Sequence, residues 1–371
     1  MTHGTTLALL VLAAAALLSA ALVPAARALA VHLGVVDPPG PRKIHDAAMP
    51  RMGGVAVYLS FVTVVLVGHA LGPALFGVPW VNAWFGESVA MLREAYRVEA
   101  KLLALLTGGT LAFGVGLADD VFGSRFPVWA KLAGQVVAAL LLIGADVRTE
   151  FLPYVWMNQV VTLLWLVGIT NAFNLLDNMD GLSAGVALVA CTTLLLNAWA
   201  LGEFFISLIL LAFMGSLLGF LLHNFQPASV FLGDCGSLFI GYVMASLTLL
   251  ERYVSNASST LFPVLMPVVV LAVPITDTAT VMWIRYREKR PLYVGDSRHL
   301  SHRLVTLGFS TRGAVLFLYL TTFCLGLGAA SLTHATQWHS VMILVQTLGF
   351  VALILLLMYR ERRKSPREAL R

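Results

Sequence analysis

Asn171-Ala-Phe-Asn-Leu-Leu-Asp-Asn-Met-Asp-Gly-Leu182 puts two carboxylates and three amides at the end of a hydrophobic run. On a helix, Asn171, Asn174, Asp177, Asn178 and Gly181 fall within an arc of about 120°, with Ala172, Leu175, Leu176 and Met179 mostly opposite. A charged group at the bilayer centre costs at least about 2.5–3.5 kcal/mol, so acids in such a place face a cavity, a partner or a bound ion. Asp119-Asp120, the turn Gly233-Asp-Cys-Gly-Ser237, His299 with His302, and Lys43, His45 and Arg51 add further acidic, imidazole and basic groups. Neighbouring carboxylates repel one another unless something positive sits among them. A divalent cation answers that need. Magnesium takes hard oxygen ligands and leaves several positions to water and substrate phosphates. The three cysteines, Cys191, Cys235 and Cys324, make no paired spacing that would indicate zinc or a disulfide framework.

The elements that carry these groups are membrane spans. Of 371 residues, 59% are hydrophobic and 12% charged, and the mean hydropathy is +0.85, which excludes an ordinary soluble domain. Apolar runs at 6–30, 53–72, 101–118, 127–145, 158–176, 182–201, 204–222, 231–250, 260–284, 312–333 and 339–359 predict about eleven transmembrane helices. Ten is the alternative if 182–201 and 204–222 merge. No Lys or Arg precedes the first run, so it is read as a span and not as a cleaved signal peptide. The whole, 1–371, reads as one all-α transmembrane domain with a charged tail at 360–371.

With eleven spans the termini lie on opposite sides, and the connections on one side hold seventeen Lys and Arg against four on the other. The positive-inside rule then places the N-terminus outside and the C-terminus in the cytoplasm. By that parity every polar motif falls on the cytoplasmic face. A transporter places its polar groups near the midplane, whereas an enzyme with a cytosolic substrate suits this clustering, and the basic face suits anionic lipid or nucleotide phosphates. Each motif also has a plainer reading. Asp119-Asp120 are also read as solvated helix-end residues or caps, Gly233–Ser237 as a tight turn with an N-cap, the histidines as interfacial side chains, and Lys43 and Arg51 as positive-inside charges. The combination on one face outweighs its members.

These motifs resemble the polyprenyl-phosphate N-acetylhexosamine-1-phosphate transferases, the family that includes the peptidoglycan translocase forming lipid I. The resemblance runs through Asp37-Pro-Pro-Gly-Pro-Arg-Lys-Ile-His45 with Met49-Pro-Arg-Met-Gly-Gly54, Gly116-Leu-Ala-Asp-Asp120 with Lys131 and Gln135, Asn171 to Leu182, Phe231-Leu-Gly-Asp-Cys-Gly-Ser237, and Asp296-Ser-Arg-His-Leu-Ser-His-Arg-Leu304. It implies transfer of a sugar-1-phosphate from a UDP-N-acetylhexosamine to polyprenyl phosphate with release of UMP. The implied cofactor is Mg2+, with Mn2+ as a substitute. Asn174 and Asp234 are the implied metal pair, Asp177 and Asp180 shape the nucleotide end, and Asp119, Asp120 and Lys131 serve the lipid phosphate. His299, His302 and Arg303 resemble the loop that holds the sugar nucleotide's phosphates, with Lys43, His45 and Arg51 as further substrate-binding residues. Membrane lipid is an expected partner and nucleic acid is not; the resemblance is compatible with a homodimer, for which no span argues independently.

Asp119 has been cast in such enzymes as a base that deprotonates the lipid phosphate. A phosphate monoester has a second pKa near about 6 and is already mostly dianionic at neutral pH, so a base is not required, and orienting Lys131 and the metal's waters is the alternative role for Asp119 and Asp120. Two departures bear on the reaction. The D-D-x-x-D pattern ends here in Gly123, and the loop often reading His-Ile-His-His-Arg has Ser301 at its middle histidine. Met49–Gly54 and the missing run of histidines resemble the branch that uses simple UDP-N-acetylhexosamines, among which UDP-GlcNAc, for the first step of a surface glycan, is the expected donor. Phospho-MurNAc-pentapeptide transfer is the alternative within the family, and an ion-coupled transporter the alternative outside it.

Overall fold

A computed structural model of the chain describes residues 3–38, 48–75, 78–79, 99–253, 262–290 and 298–368. Lys43 and His45 lie outside these. The chain divides into two compact units, Met1–Glu251 and Arg252–Arg371, and each is described by itself.

In the first unit, α1 (His3–His32) leads to a two-stranded antiparallel ribbon, β1 (Val36–Asp37) with β2 (Met49–Pro50). Then follow α2 (Gly54–Leu75), α3 (Glu99–Phe122), α4 (Val128–Gly144), α5 (Val155–Leu176), α6 (Leu182–Ala200), α7 (Phe204–Asn224) and α8 (Gly233–Leu250). Helix α8 is the central post, with 15 of its 18 residues buried, packed between α3 and α5 and against α2. It runs antiparallel to α3. Midway along it the Tyr242 hydroxyl donates at 3.3 Å to the carbonyl of Ala104 in α3 and reaches that of Ala138 in α4 at the same distance, while its first turn meets the last turn of α3. In lipid, where apolar side chains gain nothing by leaving the solvent, such close backbone approach and interhelical hydrogen bonds are what hold helices together.

That approach depends on small residues. A Cβ on Gly116 would lie 2.6 Å from the Cα of Cys235 in α8, a distance that rigid backbone cannot relieve. Gly116→Ala is therefore expected to push α3 off α8 and to destabilise the protein by about 1–3 kcal/mol, the usual range for overpacking. A thermal unfolding midpoint in detergent equal to wild type would contradict this packing.

The second unit has a 3-10 turn at Phe262–Leu265, then α9 (Met266–Val270), α10 (Ala272–Arg287), α11 (Leu300–Thr306), α12 (Thr311–Ser331), a 3-10 turn at Leu332–His334 and α13 (Gln337–Glu368).

Helices occupy all eleven apolar runs, and the chain is a polytopic helical membrane protein. Among the described residues nine helices are long and apolar enough to cross a bilayer, or ten with one bent pair. The run at 127–145 is the shorter α4, of 17 residues. The run at 260–284 becomes α9 and α10, bent by 67°. Pro274 causes the break: it has no N–H for the carbonyl of Val270, and its ring crowds that group. The runs at 182–201 and 204–222 stay separate. Gly202, at φ +73°, closes α6 with bonds from Gly202 N–H to Trp199 O and from Glu203 N–H to Ala198 O, the double bond of a Schellman stop.

Candidate functional site

The C-terminal ends of α3 and α5 meet the N-terminal end of α8, with Lys131 of α4 between them. Asp119 and Asp120 lie in the last turns of α3, Asn174 near the end of α5, and Asp234 in the first turn of α8. A carboxylate at a helix N-terminus is favourable, but two at a C-terminus face the negative end of the dipole. Asp119 and Asp120 are thus held against their own helix by partners from elsewhere. The Lys131 Nζ donates to Asp119 Oδ2 at 2.8 Å, Asp234 Oδ2 at 2.5 Å and Asn174 Oδ1 at 3.2 Å. Three oxygens from three helices converge on one cation.

The rest of the cluster sets how those oxygens point. Asn174 donates through Nδ2 to Asp234 Oδ1 at 3.1 Å and to Ser237 Oγ at 2.8 Å, so its carbonyl oxygen is turned toward Lys131. Asp120 touches neither Lys131 nor Asn174. Its side chain is fully buried and accepts the backbone N–H groups of Asp234 and Cys235, each at 2.9 Å. It caps α8 from the end of α3. Gly233 makes this possible: its φ is +76°, and a Cβ there would lie 2.7 Å from Asp120 Oδ2. Arg51 sits across the mouth, its Nη2 at 3.8 Å from Asp120 Oδ1 and 4.0 Å from Asp234 Oδ1, its Nη1 at 4.0 Å from Asp37 Oδ1. Burial works against the guanidinium, but Asp120, Asp234, Asp37 and Asp177 outweigh it and raise its pKa.

Arg51 is carried there by backbone pairing. Phe231 N–H donates to Pro50 O at 2.8 Å, Gly53 N–H to Phe231 O at 2.9 Å and Gly54 N–H to Leu232 O at 2.8 Å. The segments Met49–Gly54 and Phe231–Ser237, far apart in sequence, are therefore one piece of structure.

Asp177 and Asp180 lie in the turn between α5 and α6. Burial, then the charge of Asp234, pushes the Asp177 carboxyl up to about 8. Asp180 Oδ2 accepts the Ala228 N–H at 3.1 Å, and Asn224 binds the same two loops together through Gly181 N–H at 3.0 Å and Val230 O at 2.9 Å. Behind the cluster, Gln135 and Asn171 pair through their amides, with Asn171 Nδ2 at 2.5 Å from Gln135 Oε1.

The second unit holds a separate cluster. Asp277 of α10, 1% exposed, contacts His299 Nδ1 through Oδ2 at 2.7 Å and accepts the Leu300 N–H on Oδ1 at 2.6 Å. These partners belong to the histidine loop. The His302 ring centroid lies 6.4 Å from that of His299, and burial, then the charge of His299, lowers its pKa. Arg303 is buried and its Nε donates to Arg298 O at 3.0 Å.

The structure thus joins Asp119, Lys131, Asn174 and Asp234 directly, brings Arg51 to their edge, sets Asp120 beneath them, and puts Asp177 and Asp180 in the adjoining loop. Ser237 and Asn224 were not among the expected site residues. Ser237 was accessible from spacing, since it lies three residues after Asp234 on the same face of α8. Asn224 had no signal beyond being polar in an apolar run.

The donor set suits a hard divalent cation. Asp119, Asn174 and Asp234 present only oxygens to the position that Lys131 Nζ holds. Among the described residues no group of three His, Cys, Asp or Glu is gathered for a metal.

Comparison with known proteins places the chain among named relatives. The family described as glycosyl transferase family 4 matches residues 102–251. A Bacillus subtilis protein named "Probable undecaprenyl-phosphate N-acetylglucosaminyl 1-phosphate transferase" is 33% identical over 342 residues, covering 90% of this chain and 87% of that one. A decaprenyl-phosphate N-acetylglucosaminephosphotransferase of Mycobacterium tuberculosis is 33% identical over 332 residues, 82% of this chain and 77% of its own. A phospho-N-acetylmuramoyl-pentapeptide-transferase of Limosilactobacillus fermentum is 31% identical, but over 219 residues, 56% of this chain.

Proposed function

Because the chain belongs to glycosyl transferase family 4, the polyprenyl-phosphate N-acetylhexosamine-1-phosphate transferases, we propose that it transfers GlcNAc-1-phosphate from UDP-GlcNAc to a polyprenyl phosphate such as undecaprenyl phosphate. An oxygen of the lipid phosphate attacks the sugar-linked phosphorus, the bond to the bridging oxygen breaks, and UMP leaves. The product is a polyprenyl-diphosphate sugar that starts a lipid-linked surface glycan. The observation that carries this reading is the convergence of Asp119, Asn174 and Asp234 on one cation position.

Phosphoryl transfer asks a protein chiefly for positioned reactants and neutralised charge. Magnesium, held by Asn174 and Asp234 with manganese as a substitute, would supply charge neutralisation on the diphosphate and the leaving group. Lys131 and Arg51 supply the remaining positive charge, Lys131 for the lipid phosphate and Arg51 from the mouth of the site. Asp119 orients Lys131, Asp120 fixes the turn bearing Asp234, and Asp177 and Asp180 form the nucleotide-side loop. His299, His302 and Arg303, with Lys43 and His45, are assigned to the sugar nucleotide's phosphates on the family resemblance.

The Lys and Arg asymmetry between alternate connections supports an active face toward the cytoplasm in the bacterial inner membrane, N-terminus outside. Detergent-solubilised protein given undecaprenyl phosphate, magnesium and a panel of UDP-sugars is expected to release UMP with UDP-GlcNAc. Release with UDP-MurNAc-pentapeptide alone would transfer the protein to the lipid I branch. No release with any sugar would end the enzyme reading.

A further inference from the structure

The three oxygens that suit a divalent cation are already engaged by a cation of the protein's own. Lys131 Nζ lies at 2.5 Å from Asp234 Oδ2 and 3.2 Å from Asn174 Oδ1, the two residues assigned above to the metal. We propose that Lys131 and the metal are alternative occupants of one oxygen cage, so that the metal binds only by driving the ammonium out, and that Asp119 retains the lysine as it leaves. The inference rests on the metal assignment of the proposed function.

The geometry favours exchange over sharing. A dication and an ammonium bound to the same oxygens repel strongly in a half-buried site. The cage itself stays in shape without Lys131. Asn174 is held from its other end by Asp234 Oδ1 and Ser237 Oγ, and the backbone of Asp234 is held by Asp120. The Asp119 contact, at 2.8 Å, is the one of the three that does not involve the metal pair. A lysine has a flexible four-carbon stem and a compact charge, so its head can swing about Asp119 while that ion pair survives. Exchange would also order events. The ammonium keeps the carboxylates from repelling one another and holds the cage ready. Arrival of the metal then frees its N–H donors for phosphate oxygens. Lys131 is in this view a positioning residue for the metal as well as a ligand for the acceptor.

The test reads metal binding without turnover. Full-length protein in detergent is titrated with Mn2+ alone, and free Mn2+ is followed by electron paramagnetic resonance. Lys131→Met, which keeps the length and removes the charge, is expected to bind Mn2+ at least about ten-fold more tightly than wild type, since the competing cation is gone. Adding Asp234→Asn to that variant is expected to abolish the gain. Unchanged or weaker binding by Lys131→Met would overturn the proposal, and so would a gain that survives Asp234→Asn, because the metal would then sit elsewhere. Should Lys131→Met fail to fold, the wild type answers the question. Acetylation of Lys131 by a small acylating reagent, read by peptide mass spectrometry, is expected to rise several-fold with Mn2+, and reactivity indifferent to Mn2+ would overturn the proposal. UMP release by the wild type tests the transferase reading separately, so the failure of one is distinguishable from the failure of the other.

Discussion

Asp234→Asn is expected to lower the rate of UMP release by about 10³-fold or more while leaving the protein folded. Removing a single oriented group from a charge-stabilising site costs about 10²–10³ in rate, and Asp234 serves several purposes. Its Oδ2 faces the cation position, its Oδ1 accepts from Asn174, and its charge lies between Lys131 and Arg51. Asparagine keeps the volume but removes the charge. The fold survives because Asp120 grips the backbone N–H of residue 234 and not its side chain. Steady-state kinetics and thermal unfolding on the same preparation give the check. Turnover within about three-fold of wild type would remove Asp234 from the site, and a collapsed unfolding midpoint would mean that the side chain is chiefly structural.

Asp120→Ala is expected to act the other way round, through the fold first and the rate as a consequence. Alanine leaves two buried N–H groups, those of Asp234 and Cys235, without their acceptor. Each buried donor so orphaned costs on the order of 1–3 kcal/mol, and the positive end of α8 loses the anion that it faces. The unfolding midpoint should fall clearly, and Asp234 should lose its fixed position, so activity drops as well. Asp120→Asn retains one carbonyl oxygen for one of the two N–H groups and is expected to recover part of both losses. Were Asp120 instead a direct ligand of substrate or metal, Asp120→Ala would lose activity at an unchanged unfolding midpoint. That pattern would displace the capping role.

Much of the cluster is legible in the sequence. Asp119, Lys131, Asn174 and Asp234 come from three separate motifs and end within hydrogen-bonding reach of one another. Polar residues at the ends of apolar spans have few roles open to them, because lipid makes idle acids costly. The division of labour within the acidic pair was not legible. Asp119 and Asp120 are adjacent and chemically identical, but successive residues on a helix point about 100° apart, and only the placement of α8 decides which meets a lysine and which meets a helix N-terminus. Nor does the sequence show that Asp277, in one apolar run, meets His299 and Leu300 of a later loop; only the fold brings them together.

By itself the sequence determined that this is a polytopic helical membrane protein whose polar motifs lie at span ends, since hydropathy over some twenty residues and the cost of buried charge are local quantities that any arrangement of the helices must respect. Tertiary structure decided which charges face one another. Whether Lys131 sits among the carboxylates or beside them, and whether Asp120 caps or coordinates, depends on distances of a few ångströms between helices far apart in sequence. Those distances are set by close contacts such as Gly116 against Cys235, which no one-dimensional pattern specifies.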